Sequence, residues 1–524
     1  MLFDEIVRTS AAVSETRSRL AKIAALASCL GRLRPGPEGA GEVGVAVAYL
    51  AGELPQGAIG VGWASLRDLP PPAPEPTLEL LDVDAALHRI GAGTGPGSQA
   101  ACKWELAGLF GRATESEQRW LARLLMGDLR QGALEGLMVE AVARAAGVPA
   151  GEVRRAFMLA GSLGEVAAVA MSEGPEGLAG FRLNVLSPLQ PMLAHSAADL
   201  GGALDRICPA AIEWKLDGAR VQVHRTGDEV RVFTRNLADV TARLPEVVEA
   251  IRGLPVDAIV LDGEVVALRS NGRPLPFQVT MARFGNRLTV DASRKTVPLS
   301  CFFFDCLHLD GDDLIDRPGA GRWAALNDRL PESLRVPRTV TDALPEAERF
   351  FESSLQAGHE GAMVKSLDAP YEAGRRGAGW LKVKRAQTLD LIVLGAEWGH
   401  GRRKGWLSNL HLGARDPITG GFVMLGKTFK GMTDAMLAWQ TTRLLELETR
   451  RDGITVFVRP ELVVEVAFDG IQNSSRYPGG LALRFARVKG YRPDKLPEEV
   501  DTIETVRAVD SGWSDTEIPQ PGTK

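Results

Sequence analysis

The spacing of apolar residues changes along the chain and predicts helices in its first third. From Leu20 to Leu30 the apolar positions recur at intervals of three and four, the period of a helix buried on one face. Thr16 is the predicted N-cap of this helix, and Gly31 ends it. The same period returns from Trp120 to Ala146. We therefore predict an all-α domain over residues 1–182.

Alternation of apolar and polar residues, the period of a strand, dominates after residue 183. A hairpin is predicted around the turn at Thr226-Gly227-Asp228, and a helical stretch around Leu237 to Ile251. The further predicted strands are 258–268, 299–309, 361–366 and 380–384. Residues 183–387 are thus predicted to form an α+β domain built on antiparallel sheets.

A third pattern, of short predicted strands and glycine-rich turns, begins at Thr388 and includes one predicted helix from Thr433 to Thr449. Several short strands with a single helix are typical of a small β-barrel of the OB type. We predict this barrel over residues 388–505. The acidic remainder, 506–524, is predicted to be a disordered tail.

Length and composition limit the class of protein. A chain of 524 residues is expected to contain about three domains. The five cysteines are odd in number and lack C-x-x-C spacing, which predicts reduced thiols and no zinc site. Neither a positively charged leader nor an apolar run long enough to span a bilayer is present. We expect a cytoplasmic protein without a membrane partner.

The net charge of −5 does not exclude a nucleic acid partner, because the charge is unevenly distributed. Residues 1–180 carry 16 basic and 21 acidic side chains, whereas residues 181–495 carry 43 basic and 38 acidic ones. The middle of the chain is therefore mildly basic. Nucleic acid binding depends on a local basic face rather than on the total charge.

The stretch EWKLDGAR, residues 213–220, contains the first candidate for catalysis, Lys215. A lysine attacks an electrophile only as the neutral amine, so it needs neighbours that favour that form. By itself Lys215 is equally compatible with a surface turn. Further candidates follow in chain order, each with its own structural alternative as a solvated or core residue: Arg235, Glu264, Phe304, Glu360, Lys382, Lys384 and the basic run 483–495.

Together these residues supply what transfer of a nucleotide to an amine requires. Cations must contact the phosphate oxygens, carboxylates must hold a metal ion, and an aromatic ring must face the base. Lys382 and Lys384, two apart on a strand, are expected on one face, where their charge would favour the neutral form of Lys215.

The ordered series KLDG, TRN, LDGE, FFFDC, EGAMVK, WLKVK and LRFARVKGYRPDK resembles the motifs of ATP-dependent DNA ligases, within the covalent nucleotidyltransferase superfamily. Segments 97–110 and 127–148 resemble the helical DNA-binding domain of that family. The order of domains is similar to that of archaeal and eukaryotic-type enzymes. One departure is Ala486, where the family usually has proline, and it is expected to loosen a turn without removing a charge.

The resemblance implies roles for the residues around the nucleotide. Lys215 would carry AMP, Glu213 would read adenine and Phe304 would stack on it. Arg220 and Arg235 would contact the ribose or the 5′-phosphate of the nick. The remaining implied roles are Glu264 on the ribose or a metal, Glu360 on a metal, and Lys382 and Lys384 on the α-phosphate.

Two further groups of residues are implied by the same resemblance. The first would orient the departing pyrophosphate and comprises Arg484, Arg487, Lys489 and Lys495. The second would lie near the DNA backbone and comprises Arg130 and Gly132, with Arg220 and Arg235. A hinge is expected near Arg385 to Leu389, because the barrel must serve the nucleotide first and the nick later.

The implied cofactors are ATP and Mg²⁺, with Mn²⁺ as an alternative metal. The implied partner is nicked double-stranded DNA, with a sliding clamp or repair proteins as further candidates. A monomer associated with a prokaryotic nucleoid is expected. The pathway that the enzyme serves is left open.

Four other functions compete with this one. An mRNA capping guanylyltransferase and an RNA ligase share the lysine motif, but the helical region argues against both. An NAD⁺-dependent DNA ligase is disfavoured because the chain lacks a four-cysteine zinc cluster. A non-catalytic nick-binding protein is expected to have lost Lys215, Glu360, Lys382 or Lys384, and all four are present.

Overall fold

The computed structural model describes residues 1–33, 40–57, 59–93, 95, 97–129, 135–285, 289–372, 376–385 and 387–511. The chain forms two compact units. Unit 1 comprises Met1–Val265, Leu299–Glu352 and Ala362–Val383, and unit 2 comprises Val266–Pro298, Ser353–Gly361 and the residues from Lys384 onward. The boundaries of the three predicted domains stay a prediction.

The N-terminal third is helical, as predicted. Its described residues form α1 (Phe3–Glu15), α2 (Arg19–Leu30), α3 (Ala40–Ala51), α4 (Leu80–Ala92), α5 (Ser98–Arg112), α6 (Glu115–Leu125), α7 (Glu135–Ala146), α8 (Ala150–Ala160) and α9 (Leu163–Ala179). Three aromatic rings meet in its core. Phe3 lies 5.4 Å from Trp120 and 6.4 Å from Tyr49, and both contacts are edge-to-face. Apolar faces of separate helices therefore share one core.

The helix predicted from Thr16 begins later than expected. Its N-cap is Ser18, whose hydroxyl oxygen accepts a hydrogen bond from the backbone N–H of Ala21 at 3.3 Å. Thr16 instead ends α1, which already occupies the chain as far as Glu15, so Thr16 as the N-cap was wrong. Gly31 is confirmed as the C-cap.

The central part of the chain is α+β. Its strands are β1 (Leu193–Ser196), β2 (Ala210–Lys215), β3 (Ala219–Thr226), β4 (Glu229–Thr234), β5 (Ala258–Ala267), β6 (Leu299–Leu309), β7 (Asp312–Asp313), β8 (Arg338–Thr341), β9 (Gly361–Ser366) and β10 (Arg376–Lys384). Its helices are α10 (Leu200–Leu204), α11 (Pro245–Arg252), α12 (Phe277–Gly285), α13 (Val290–Thr296), α14 (Gly319–Arg329) and α15 (Leu344–Gln356). The helical stretch predicted from Leu237 is thus shorter and starts at Pro245, after a single 3₁₀ turn.

Two five-stranded sheets organise this part. Their orders are β1-β10-β9-β2-β8 and β4-β3-β5-β6-β7. The pairs β2/β8, β3/β4, β3/β5 and β6/β7 are antiparallel, whereas β1 runs parallel to β10. The predicted hairpin is confirmed: Gly227 turns the chain between β3 and β4 with φ of 56°, which glycine adopts without steric cost.

The C-terminal part is a β-barrel with an accompanying helix. Its elements are β11 (Gln387–Trp398), β12 (Leu407–Arg415), β13 (Phe422–Thr428), α16 (Asp434–Glu446), β14 (Glu448–Asp452), β15 (Thr455–Val458), β16 (Val463–Phe468), β17 (Gly470–Asn473), β18 (Leu481–Arg484), β19 (Arg487–Tyr491) and α17 (Ile503–Ser511). β11 pairs with both β12 and β16, and β16 pairs with β19. The ring is closed by the N–H of Val488, which donates to the carbonyl of Lys430 at 3.0 Å.

Helix α17 continues into the segment predicted as a tail. Val506 is fully buried in the barrel core, which explains why this part is ordered as a helix. Residues 512–524 lie outside the described residues. Across the described ranges, no helix combines the length and the apolar character that crossing a bilayer requires.

The closure of the barrel provides a stability test at Gly431. This glycine has φ of 88°, and a Cβ atom placed there would lie 2.0 Å from the carbonyl oxygen of Val488. Gly431→Ala is therefore expected to destabilise the protein by about 2 kcal/mol or more, through backbone strain and a clash that backbone atoms cannot relieve. The measurement is the midpoint of thermal unfolding by calorimetry.

Gly420→Ala is the matched control, because Gly420 also has a positive φ, 71°. A Cβ atom added to Gly420 would meet no heavy atom of the described residues within 4 Å. The substitution is expected to cost about 1 kcal/mol, from the backbone conformation alone. Equal shifts in the two variants would show that the close approach of Val488 is unimportant.

Candidate active site

Lys215 lies at the last position of β2 and is half-buried. The loop that follows it leads directly into β3. Its Gly218 N–H donates to Oε1 of Glu264 at 3.2 Å, and Glu264 lies on β5, the antiparallel neighbour of β3. Two strands therefore hold the loop that follows the lysine, as a catalytic side chain requires of its support.

Glu213, two residues before Lys215, is a buried carboxylate between two cations. Its side chain is 1% exposed. Oε2 lies 2.6 Å from Nζ of Lys365, and Oε1 accepts a hydrogen bond from Nη1 of Arg338 at 3.3 Å. Burial lowers the pKa of the Lys365 ammonium, and Glu213 opposes that shift. Each oxygen of this buried carboxylate therefore has a cationic partner, which replaces part of the water that burial removes.

Phe304 lies in an aromatic cluster that also receives cations. Its ring meets Trp380 edge-to-face at 5.9 Å, and Trp380 meets Tyr371 in the same manner and at the same distance. Nζ of Lys365 lies 4.4 Å from the centre of the Phe304 ring and 4.2 Å from that of Trp380. The ring of Phe304 is half-buried, so it has both support and an open part.

Arg220 is anchored more extensively than the sequence predicts. Its Nε and Nη2 donate to the two carboxylate oxygens of Asp262 at 3.0 and 2.6 Å. Nη1 donates to the carbonyl of Met192 at 2.7 Å, and Nη2 is 3.4 Å from the hydroxyl of Tyr371. These contacts use four of its five N–H groups. That the fifth N–H group contacts the ribose or a phosphate stays a prediction.

Burial and neighbouring charges shift the pKa values of Arg220 and Tyr371. Burial by itself would lower the pKa of the Arg220 guanidinium, but Asp262, Tyr371 and Glu264 together outweigh burial and the pKa is raised. Burial and the same carboxylate raise the pKa of the Tyr371 hydroxyl, which therefore keeps its proton and donates it to Asp262 at 2.7 Å.

Arg235 and Lys382 are two further predicted site residues in unit 1. Arg235 follows β4 and is exposed, which suits a side chain that meets a large ligand. Along β10, Leu381 and Val383 are buried, whereas Lys382 and Lys384 are half-buried. The alternation places both lysines on one face of the strand, as predicted.

In unit 2, two carboxylates share Lys384. Its Nζ lies 2.8 Å from Glu360 and 3.2 Å from Asp469. Asp469 also pairs with Arg487 at 3.0 Å. Asp469 thus contacts both Lys384 and Arg487, the two cations that the family resemblance assigns to phosphate binding. Arg487 is 54% exposed, so its guanidinium remains accessible to a ligand.

The other basic residues of the terminal motif have separate surroundings. The Arg484 guanidinium lies 4.5 Å from the ring centre of Phe277. Lys489 is exposed. Lys495 donates to Asp390 at 2.5 Å, and Arg492 pairs with the same carboxylate at 3.2 Å. The structure therefore brings Arg487 together with Lys384 and holds Lys495 in a different ion-pair network.

The turn at Ala486, where the family usually has proline, is held by its neighbours. Ala486 is buried, and its carbonyl accepts a hydrogen bond from the hydroxyl of Thr428 at 2.5 Å. The preceding residue, Phe485, has φ of 53°. Packing and this hydrogen bond supply the restraint that a proline ring would otherwise give.

The predicted metal ligands are both carboxylates. Glu264 and Glu360 offer the hard oxygen atoms that Mg²⁺ prefers, and both are half-buried. Within the described ranges, no group of three or more His, Cys, Asp or Glu side chains could hold a metal ion. Either carboxylate by itself offers the kind of ligand that Mg²⁺ takes when phosphate and water complete its shell.

Several residues of the site were not predicted from the sequence, and two predicted residues cannot be compared with the structure. Arg130 and Gly132 lie outside the described residues. Lys365 and Trp380 lie within quoted motifs, EGAMVK and WLKVK, yet received no role. Asp262, two residues before Glu264 on β5, could have been found from the strand period. The residues without any signal in the sequence are Arg338, Tyr371 and Asp469.

Three family models match the chain. The model described as ATP dependent DNA ligase domain matches residues 191–384. The model described as DNA ligase N terminus matches residues 61–143, and the one described as ATP dependent DNA ligase C terminal region matches residues 403–495. Every motif quoted above from Lys215 to Lys495 lies within residues 191–384 or residues 403–495, the regions matched by the two ATP-dependent ligase models.

Relatives match over the full length. A protein named "Probable DNA ligase" from Anaeromyxobacter dehalogenans (strain 2CP-C) is 60% identical over 518 residues, covering 98% of this chain and 100% of the relative. One of the same name from Sorangium cellulosum (strain So ce56) is 55% identical over 525 residues, covering 100% of this chain and 98% of the relative. The solved structure "Pmar-Lig_PreS3" has a TM-score of 0.59 at 19% identity, covering 94% of this chain and 100% of that one, and so shares the fold.

The buried pair of Arg220 and Asp262 generates a prediction. Asp262 is 1% exposed, and Asp262→Asn would leave the Arg220 guanidinium in the interior without its counter-ion. The expected cost is roughly 3–5 kcal/mol, measured by thermal or urea unfolding. Asp312→Asn is the control, since Asp312 is 71% exposed and pairs with Arg317 at the surface. Similar losses in the two variants would contradict the importance of burial.

Proposed function

The chain belongs to the ATP-dependent DNA ligase family, and on that premise we propose that it seals nicks between a 3′-hydroxyl and a 5′-phosphate in duplex DNA through a lysine–AMP intermediate. One observation carries the proposal. Strand β2 ends with a half-buried Lys215 two residues after the buried, doubly paired Glu213, and Glu264 restrains the loop that follows. The proposed nucleophile and the proposed nucleotide-reading group therefore share one strand.

The first step is attack of Nζ of Lys215 on the α-phosphorus of ATP. A phosphorus–nitrogen bond forms, the bond between the α-phosphorus and the bridging oxygen breaks, and pyrophosphate leaves. The amine must be neutral when it attacks and releases a proton to water as the phosphoramidate forms. The covalent intermediate divides one difficult reaction into easier steps.

The nucleotide would be bound by residues of several strands. Glu213 would accept a hydrogen bond from the adenine amino group, and Phe304 would stack on the base. Lys382 and Lys384 would contact the α-phosphate from one face of β10. Glu264 and Glu360 are each proposed as a ligand of Mg²⁺ or Mn²⁺, which would supply positive charge to the phosphates. Fixed positive groups of this kind stabilise the charge of a phosphoryl transition state.

In the second step AMP moves from Lys215 to the 5′-phosphate of the nick. In the third, the 3′-hydroxyl attacks that phosphate, AMP leaves, and the strand is closed. Arg235 is proposed to contact the nick because it is exposed. Most further contacts should be to DNA phosphates, since a nick can occur in any sequence. Arg130 and Gly132 are proposed for this role, and a clamp or repair protein as a further partner.

The terminal motif serves the first step alone in this proposal. Arg487, with Arg484, Lys489 and Lys495, would orient the pyrophosphate. The terminal motif would then have to leave the site before the DNA is processed. This movement is proposed for the hinge expected near Arg385 to Leu389, where Gln387 already begins β11.

The covalent intermediate can be tested directly. Incubation with ATP labelled at the α-phosphorus and Mg²⁺ should give an acid-labile AMP adduct, which mapping should place on Lys215. Lys215→Ala should abolish it, because no other amine ends β2, while Lys295→Ala, at an exposed lysine on α13, should leave it intact. Labelling by GTP instead of ATP, or at a different lysine, would refute the proposal.

The role of the terminal motif predicts a separation of steps. Arg487→Ala should slow self-adenylylation by about tenfold or more, the effect of losing a charged contact to phosphate. Sealing of a nick that already carries AMP should change much less. Arg459→Ala is the control, because Arg459 is also an exposed barrel arginine paired with an acid. Equal loss in both assays would contradict the division of roles.

A further inference from the structure

Arg338 is the direct cross-strand partner of Glu213. Strand β8 is the edge strand beside β2, and their antiparallel register places Arg338 opposite Glu213. The two side chains pair at 3.3 Å. Their ion pair therefore follows from the pairing of the strands and not from a mobile surface contact.

The pair is enclosed in the interior. The side chains of Glu213, Lys365 and Arg338 are 1%, 7% and 8% exposed. Each carboxylate oxygen of Glu213 has one cation, and each keeps a second lone pair for another donor. With little water to screen them, the two cations hold the direction of the carboxylate.

Arg338 is held from its other side as well. Its guanidinium lies 4.3 Å from the ring centre of Trp323, on helix α14. Stacking on an indole fixes the plane of the guanidinium, which an ammonium group could not present. The orientation of Glu213 is thus linked, through Arg338, to a helix outside the nucleotide site.

We propose that Arg338 is a positioning residue for the recognition of the nucleobase and that it acts by holding the Glu213 carboxylate aligned. The inference rests on the proposed function, in which Glu213 reads adenine. A carboxylate accepts hydrogen bonds, so it favours a base with an amino group at carbon 6. A carboxylate that can rotate loses this selectivity.

The test compares ATP with purine riboside 5′-triphosphate, which has hydrogen in place of the 6-amino group. Single-turnover self-adenylylation gives a maximal rate constant and an apparent dissociation constant for each nucleotide. The intact chain should prefer ATP by roughly ten- to a hundredfold, the range for a hydrogen bond to a charged group. Arg338→Met should reduce this preference severalfold, by weakening the binding of ATP and not that of the analogue.

Three variants separate positioning from a merely structural role. Glu213→Gln should reduce the preference at least as much, and combining it with Arg338→Met should add little, because both act on one contact. Arg338→Lys should restore part of the preference and provides a folded variant if Met is not tolerated. Arg335→Met is the matched control, since the guanidinium of Arg335 bonds to Asn327 and not to Glu213.

The outcomes distinguish this inference from the function on which it rests. Equal loss for both nucleotides in Arg338→Met, or an unchanged preference while Glu213→Gln reduces it, overturns the inference and leaves the function standing. An unchanged preference in Glu213→Gln overturns it as well, because Glu213 then does not read the amino group. Absence of any adduct in the intact chain overturns the proposed function itself.

Discussion

Compensation of buried charge is the constraint on which the centre of this molecule depends. Three acids of the central sheets are almost fully buried, and each is paired: Glu213 with Lys365 and Arg338, Asp262 with Arg220, and Asp305 with Arg322. An ion removed from water costs several kcal/mol unless a partner and hydrogen bonds replace the solvent. The strands must therefore hold their register for these groups to meet at all.

The same constraint would serve the proposed reaction. A reactive lysine at the end of a strand would need neighbours that do not move when the substrate arrives. The hydrogen-bonded ion pairs of β2 and β3, and the contact of Glu264 with Gly218, hold the two strands that flank the loop after Lys215. Aromatic rings pack beside them, and Trp380 contacts both Phe304 and Tyr371. The network that compensates buried charge is thus also the support of the proposed site.

The ion pairs around Asp469 in unit 2 are closer to solvent than those of unit 1. Asp469 joins Lys384 and Arg487, and these side chains are 18%, 25% and 54% exposed. Pairs so close to water are individually weak, because solvent screens them and ordering the side chains costs entropy. A polyphosphate can therefore compete for such cations, whereas it could not displace the buried partners in unit 1. The buried pairs of unit 1 thus suit a permanent support. The more exposed pairs of unit 2 suit groups that exchange their acidic partner for a ligand.

The sequence by itself determined the elements and the chemistry. Apolar periods marked α2, the hairpin at Gly227 and most strands, because local burial on one face leaves a local pattern. The period from Trp120 to Ala146 covers parts of two helices, α6 and α7, and not a single one. The ordered motifs from Lys215 to Lys495 indicated transfer of a nucleotide to an amine. The N-cap of α2 was misplaced, since Thr16 and Ser18 have equally suitable side chains and only the length of α1 decides between them.

Only the tertiary structure decided which charges meet. Glu213 and Arg338 are 125 positions apart, and the register of β2 against β8 brings them together. Tyr371 reaches Asp262 across 109 positions, and Asp469 reaches Lys384 across 85. Such contacts depend on how separate strands pair and on where burial removes water. A single sequence carries no measure of the distance between remote residues, so these partners remained invisible in it.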